Sequence, residues 1–121
     1  MRHMSFALTT EQIKNETKTE TRRMGWKFLK AGDKLWAVKK AMGLKKGEKV
    51  EKLCQIVITS VNRESLNAIT QEQVIAEGFP EMSRQDFISM FCKVNKCNPD
   101  TEITRIVFRY IKNLIGFIEE D

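Results

Sequence analysis

The chain has 121 residues, of which 41% are hydrophobic and 31% charged, a composition that folds and that excludes global disorder. Its length suits one domain around one core. No run reaches the roughly 18 apolar residues of a membrane span, and the apolar start Met4-Ser5-Phe6-Ala7-Leu8 is too short for a signal peptide.

The formal net charge of +5 is unevenly divided. Residues 1–52 carry 14 Lys and Arg against 6 Asp and Glu, whereas residues 53–121 carry 7 against 10. A basic first half points to a polyanionic or phosphate-bearing partner. Solubility alone is the competing reading. The three cysteines, Cys54, Cys92 and Cys97, are an odd number, unlike a secreted disulfide scaffold. They point to a cytoplasmic setting with reduced thiols. With His3 as the single histidine, no zinc set is complete, and no metal or organic cofactor is expected.

In chain order, residues 3–8 fit an opening strand. Thr9-Thr10-Glu11-Gln12 has the form of a capping box, with Leu8 and Ile13 at the staple positions, and predicts a short helix ending near Glu16. Alternating threonines over residues 17–23 predict a strand. Period two places Lys18, Glu20 and Arg22 on one side, and Thr17, Thr19, Thr21 and Arg23 on the other. Gly25-Trp26-Lys27-Phe28-Leu29 is an aromatic patch, Lys30-Ala31-Gly32-Asp33-Lys34 a turn, and Leu35–Val38 a strand. Residues 39–52, with six lysines and two glycines, read as a basic loop. The β-branched run Leu53–Val61 predicts a central strand.

Thr70-Gln71-Glu72-Gln73 and Ser83-Arg84-Gln85-Asp86 mark two further helix starts, stapled by Ile69 with Val74 and by Met82 with Phe87. Phe87, Met90, Phe91 and Val94 form one apolar stripe, most simply core packing. Gly78-Phe79-Pro80 and Asn98-Pro99-Asp100 break the chain. Ile103–Ile111 closes as a strand, and Glu119-Glu120-Asp121 reads as a frayed tail. Five or six strands with three short helices, not regularly alternating, disfavour a parallel doubly wound sheet. The expected fold is a single domain over residues 1–121, mainly β with short helices (α+β), built as a small, mostly antiparallel barrel.

The segment Thr17-Lys18-Thr19-Glu20-Thr21-Arg22-Arg23, followed by Lys30-Ala31-Gly32-Asp33-Lys34-Leu35-Trp36, resembles the signature of the ASCH family, relatives of the PUA domains of RNA-modification proteins. Met4-Ser5-Phe6 and Arg22-Arg23-Met24-Gly25-Trp26 resemble small ASCH-type proteins of phages and prophages. The resemblance covers nearly the whole chain and implies a PUA-like β-barrel that binds RNA. One branch of the family resembles an amidohydrolase that removes the acetyl group of N4-acetylcytidine, using a lysine, a threonine three residues later and a downstream glutamate. By that resemblance the catalytic residues would be Lys18, Thr21 and Glu77, the last flanked by Glu72 and Glu81. Other ASCH members are described as ribonucleases, an activity the resemblance leaves open as an alternative with no catalytic residues assigned. The basic loop 39–52 and the Phe87–Val94 helix depart from the hydrolase branch.

The chemistry of each candidate has two readings. A threonine hydroxyl is a poor nucleophile without a base, and a lysine serves as one only when burial or nearby cations lower its pKa. Arg22 or a backbone amide would then stabilise the oxyanion. Otherwise Thr21 is a strand threonine, and Lys18 with Glu77 is a salt bridge. For nucleic acid, Arg22 and Arg23 offer planar forks for phosphate, although period two points them to opposite sides unless the strand bends. Trp26 beside basic residues suits base stacking, whereas Phe28 and Trp36 fit better in the core. Lys39, Lys40, Lys45, Lys46 and Lys49 can follow a phosphate backbone without reading bases. Cys54 reads as a small buried hydrophobe, and Cys92 and Cys97 lack the basic surroundings of a thiolate enzyme. The expected partner is RNA or a modified nucleoside, with no membrane.

Overall fold

In the computed structural model, which describes residues 1–112, five strands form one sheet. They are β1 (His3–Ser5), β2 (Glu20–Arg23), β3 (Lys34–Val38), β4 (Lys52–Ser65) and β5 (Glu102–Tyr110). Three helices, α1 (Thr10–Lys14), α2 (Gln71–Ala76) and α3 (Arg84–Asn95), accompany them, and single 3₁₀ turns cover Ala7–Thr9 and Leu66–Ala68. The spatial order is β1-β3-β4-β5-β2. The β1–β3 pair is parallel, and the other pairs are antiparallel. This is a small mixed α+β fold.

The sheet does not close into the expected barrel. The two edges, β1 and β2, are three and four residues long and share no ladder. One side chain crosses the gap: Arg23 Nη2 donates to the Ser5 carbonyl at 2.7 Å.

β4 runs for 14 residues: the β-branched run ends at Val61, and the ladder with β5 carries the strand on to Ser65. Its first part pairs with β3, and from Ile56 onward it pairs with β5. A register shift between Ile58 and Ser60 interrupts its ladder with β5, and the core divides into two apolar clusters. The first gathers Met4, Phe6, Ile13, Leu35, Ile56, Ile58 and Phe108. The second gathers Leu66, Ile69, Val74, Phe87, Ile88, Phe91 and Ile103 beneath α2 and α3. Each such side chain contributes about 1.5–3 kcal/mol by burial.

The helix starts divide instructively. Thr70 makes the full reciprocal capping box with Gln73, and the Ser83 hydroxyl accepts from the Asp86 N–H. Thr9 makes no side-chain cap, and Leu8 is 68% exposed rather than stapled. Gln12 is drawn away instead, its Nε2 donating to the Gly78 carbonyl at 3.0 Å. Asp33 closes the expected turn through the Lys30 N–H, with Gly32 at φ +97°. Residues 39–51 contain no strand or helix, as the basic loop reading expects. The tail Glu119–Asp121, expected to fray, lies outside the described residues.

Candidate functional site

A cleft of about 390 Å³ opens between the two apolar clusters. Phe6 reaches it from the first cluster and Phe87 and Phe91 from the second, with Trp26, Phe79 and Met90 completing the apolar walls. Lys18, Thr21, Arg22, Arg23 and Glu77 supply the charged and hydroxyl lining.

Backbone geometry brings these residues together. The Thr19 N–H donates to the Ala76 carbonyl at 2.8 Å, which ties the approach to β2 against the end of α2. Glu77, the residue capping α2, therefore meets Lys18. Gly78 follows at φ +106°, where a Cβ would stand 3.0 Å from Gln12 Cγ. A side chain at Gly78 would be strained in backbone and would collide with its neighbour.

Lys18 and Glu77 form a buried pair. Lys18 Nζ donates to the Glu77 carbonyl at 2.6 Å and to Glu77 Oε1 at 3.0 Å. Burial lowers the Lys18 pKa below the ordinary lysine value, Glu77 opposes that by charge and hydrogen bonding, and Arg23 and Arg22 reinforce it. Those two bonds take two of the hydrogens on Nζ.

A network continues from the other carboxylate oxygen. Arg22 Nη1 donates to Glu77 Oε2 at 3.0 Å and to Glu20 Oε1 at 3.1 Å, and Nη2 donates to Gln73 Oε1 at 2.8 Å. Glu20 in turn receives Arg105 through Nε at 3.0 Å and Nη2 at 3.1 Å. Arg22 Nε is buried without an acceptor among the described residues.

Arg23 is held differently. Its Nε donates to Thr21 Oγ1 at 3.0 Å, and its guanidinium lies 4.7 Å from the centre of the Phe6 ring. Burial brings its pKa down to about 10, against the pull of Glu77, so it stays charged at neutral pH. Among the described residues no carboxylate pairs with it. Thr21 accepts from Arg23, so its own proton remains available to a second partner.

Solved structures share this architecture. A protein from Enterococcus faecalis V583, described under family model DUF984, matches with a TM-score of 0.65 at 15% identity, over 91% of this chain and 79% of that one. An ASCH domain from Lactobacillus crispatus JV V101 matches with a TM-score of 0.59 at 17% identity, over 90% of this chain and 78% of that one. The chain has the fold of an ASCH domain. No family model and no curated protein matches the sequence.

Within this ASCH fold, six of the residues singled out from sequence, Lys18, Thr21, Arg22, Arg23, Trp26 and Glu77, line one cleft. Arg22 is placed otherwise than as a surface fork. Its side chain is 0% exposed, and its paired nitrogens are committed to Glu20, Glu77 and Gln73. Lys39, Lys40, Lys45 and Lys46 do not line the cleft. Lys39, Lys45 and Lys46 are exposed, and half-buried Lys40 has its Nζ 3.8 Å from Glu48. Their loop is nevertheless rooted at the rim, where the Phe6 N–H donates to the Val38 carbonyl and Ser5 Oγ donates to the Lys39 carbonyl at 3.3 Å.

Two readings of apolar residues need correction. Phe28, expected in the core, is 53% exposed beneath the Arg2 guanidinium, and Trp36 is half-buried beneath the Lys52 ammonium. The α3 stripe is not core packing alone, because Phe87, Met90, Phe91 and Val94 also wall the cleft. Sequence reasoning passed over Glu20, Gln73 and Arg105 as site residues. Glu20 lies on the same period-two side as Lys18 and Arg22, and Gln73 is the third residue of a capping box. Both signals were present. Among the described residues, no group of three or more His, Cys, Asp or Glu could hold a metal ion, and no helix is long and apolar enough to cross a membrane.

Proposed function

We propose that the cleft binds one nucleotide unit of RNA, with the base between aromatic walls and the phosphate on Arg23. The observation that carries this reading is the charge of the lining. Lys18 and Arg22 share Glu77, while Arg23 has no carboxylate partner among the described residues. The cleft is therefore cationic at one guanidinium whose planar fork suits phosphate. Half-buried Trp26 lines the same cleft and offers a surface for base stacking. The volume lies within the range of small-ligand clefts. The basic loop, rooted at the rim, then follows the neighbouring phosphates. The ASCH fold supports the same class of partner.

The test is a titration of tryptophan fluorescence with short single-stranded RNA at several salt concentrations. Arg23→Gln should weaken binding by about tenfold and reduce the salt slope by about one. Absence of binding by the unaltered chain, or an unchanged affinity in a folded Arg23→Gln variant, ends this reading.

A second reading, amide hydrolysis of an N4-acylated cytidine, is favoured by the lowered pKa of buried Lys18, which lines the same cleft as Thr21. In it, neutral Lys18 takes the Thr21 proton as Oγ1 attacks the acyl carbon, and returns it to the departing amine. Arg22 Nε and Arg23 are the donors available to the developing oxyanion. Water then hydrolyses the Thr21 ester. Chromatography of N4-acetylcytidine incubated with the protein should show cytidine, and Thr21→Ala should abolish it. The rate should rise with pH as Lys18 loses its proton. Turnover that survives Thr21→Ala removes this mechanism.

A further inference from the structure

The end of α3 brings two thiols together. Lys96 follows the helix at φ 53°, in the left-handed region. The Cys97 N–H donates to the Cys92 carbonyl at 3.1 Å. This six-to-one bond belongs to a Schellman ending, in which the side chains at its two ends come into contact. An apolar pair usually fills those positions. Here the pair is Cys92 and Cys97, both half-buried against the second cluster and both reachable from solvent. The backbone bond keeps the two residues side by side, the first requirement of a disulfide between them.

We propose that Cys92 and Cys97 form a reversible intramolecular disulfide, made by exchange with a low-molecular-weight disulfide such as oxidised glutathione. The Cys97 thiolate attacks one glutathione sulfur, and the first glutathione thiol leaves. Cys92, giving its proton to solvent, then attacks the Cys97 sulfur of the mixed disulfide, and the second glutathione thiol leaves. Two cysteine thiols are oxidised and one glutathione disulfide is reduced. The two protons lost by the cysteines reappear on the two glutathione thiols. Cys97 is the attacking residue because burial, and the hydrogen bond that the Cys92 thiol donates to its neighbour, push the Cys92 thiol up. The closed bridge pins the last turn of α3, from which Phe91, Val94 and Asn95 face the cleft.

The experiment equilibrates the full chain in an oxidised and reduced glutathione buffer, quenches with acid, and reads mass and peptide map. The expected product has lost two hydrogens, carries no glutathione, joins Cys92 to Cys97, and keeps Cys54 free. Cys92→Ser should instead retain glutathione on Cys97, because the resolving thiol is gone. A stable glutathione adduct on the unaltered chain, a disulfide between two chains, or three thiols still free in oxidising buffer would each overturn the proposal.

Discussion

Residues 18–23 and the loop 39–51 are both rich in Lys and Arg, yet one is buried and the other faces water. Lys18 and Arg22 are 3% and 4% exposed, whereas Lys45, Lys46 and Lys49 lie in the open. The difference comes from where carboxylates arrive. Glu77, from a helix end 59 residues downstream, takes Lys18 and Arg22 together, while Glu20 bridges Arg22 to Arg105. In the loop, Lys40 and Glu48 stand 3.8 Å apart with both side chains about 40% exposed, so water screens the pair. Two segments rich in cations thus give a fixed constellation in one place and a solvated cationic surface in the other. Only the first can set a pKa or orient a ligand atom.

The sharpest break of this contrast is Glu77→Ala. It takes from buried Lys18 its carboxylate and from Arg22 one of the two that Nη1 contacts, leaving Arg22 with Glu20 and Gln73, and urea denaturation should show a loss of about 3–5 kcal/mol. A loss within the range of a surface substitution would mean that water reaches the network. Lys18→Met probes the same site through pH. Because the folded-state pKa of Lys18 lies below the unfolded value of 10.5, the unfolded chain holds a proton that the folded chain has released across that window. Stability of the unaltered chain therefore gains from Lys18 as pH rises toward 10.5, and that gain is lost again as pH falls through the folded value. Urea midpoints across this range should show the extra rise in the unaltered chain and not in Lys18→Met. The smallest effect belongs to the loop: Glu48→Ala should change stability by no more than about 0.5 kcal/mol. A larger loss would make the loop part of the fold.

Much of the architecture was legible because local rules and packing agree at most elements. The capping box at Thr70, the N-cap bond at Ser83, the Asp33 turn and the β-branched core of β4 all formed where the sequence places them. The box at Thr9 did not form: Thr9 makes no side-chain cap, and the Gln12 side chain is turned to the Gly78 carbonyl, a tertiary partner no local rule includes. The barrel failed at β1 and β2, whose lengths leave the edges joined by a side chain rather than a ladder. Within the site, Lys18 and Thr21 were legible by spacing and resemblance, and so was Glu77 as the downstream carboxylate. Their mutual placement was not, since it depends on Thr19 docking against Ala76 and on the room left at Gly78. Phe28 was misplaced because its apolar surface is covered by Arg2 rather than by the core.

Gln73 Oε1 accepts from the Thr70 N–H at 3.1 Å and from Arg22 Nη2 at 2.8 Å. One atom thus closes the start of a six-residue helix and anchors a guanidinium on the strand opposite. A helix that short has almost no stability of its own in water. When its first turn frays, Arg22 loses a partner; when Arg22 moves, the cap loosens. Helix and strand therefore open as one cooperative unit, and amide exchange in α2 becomes a gauge of how firmly the floor of the cleft is held.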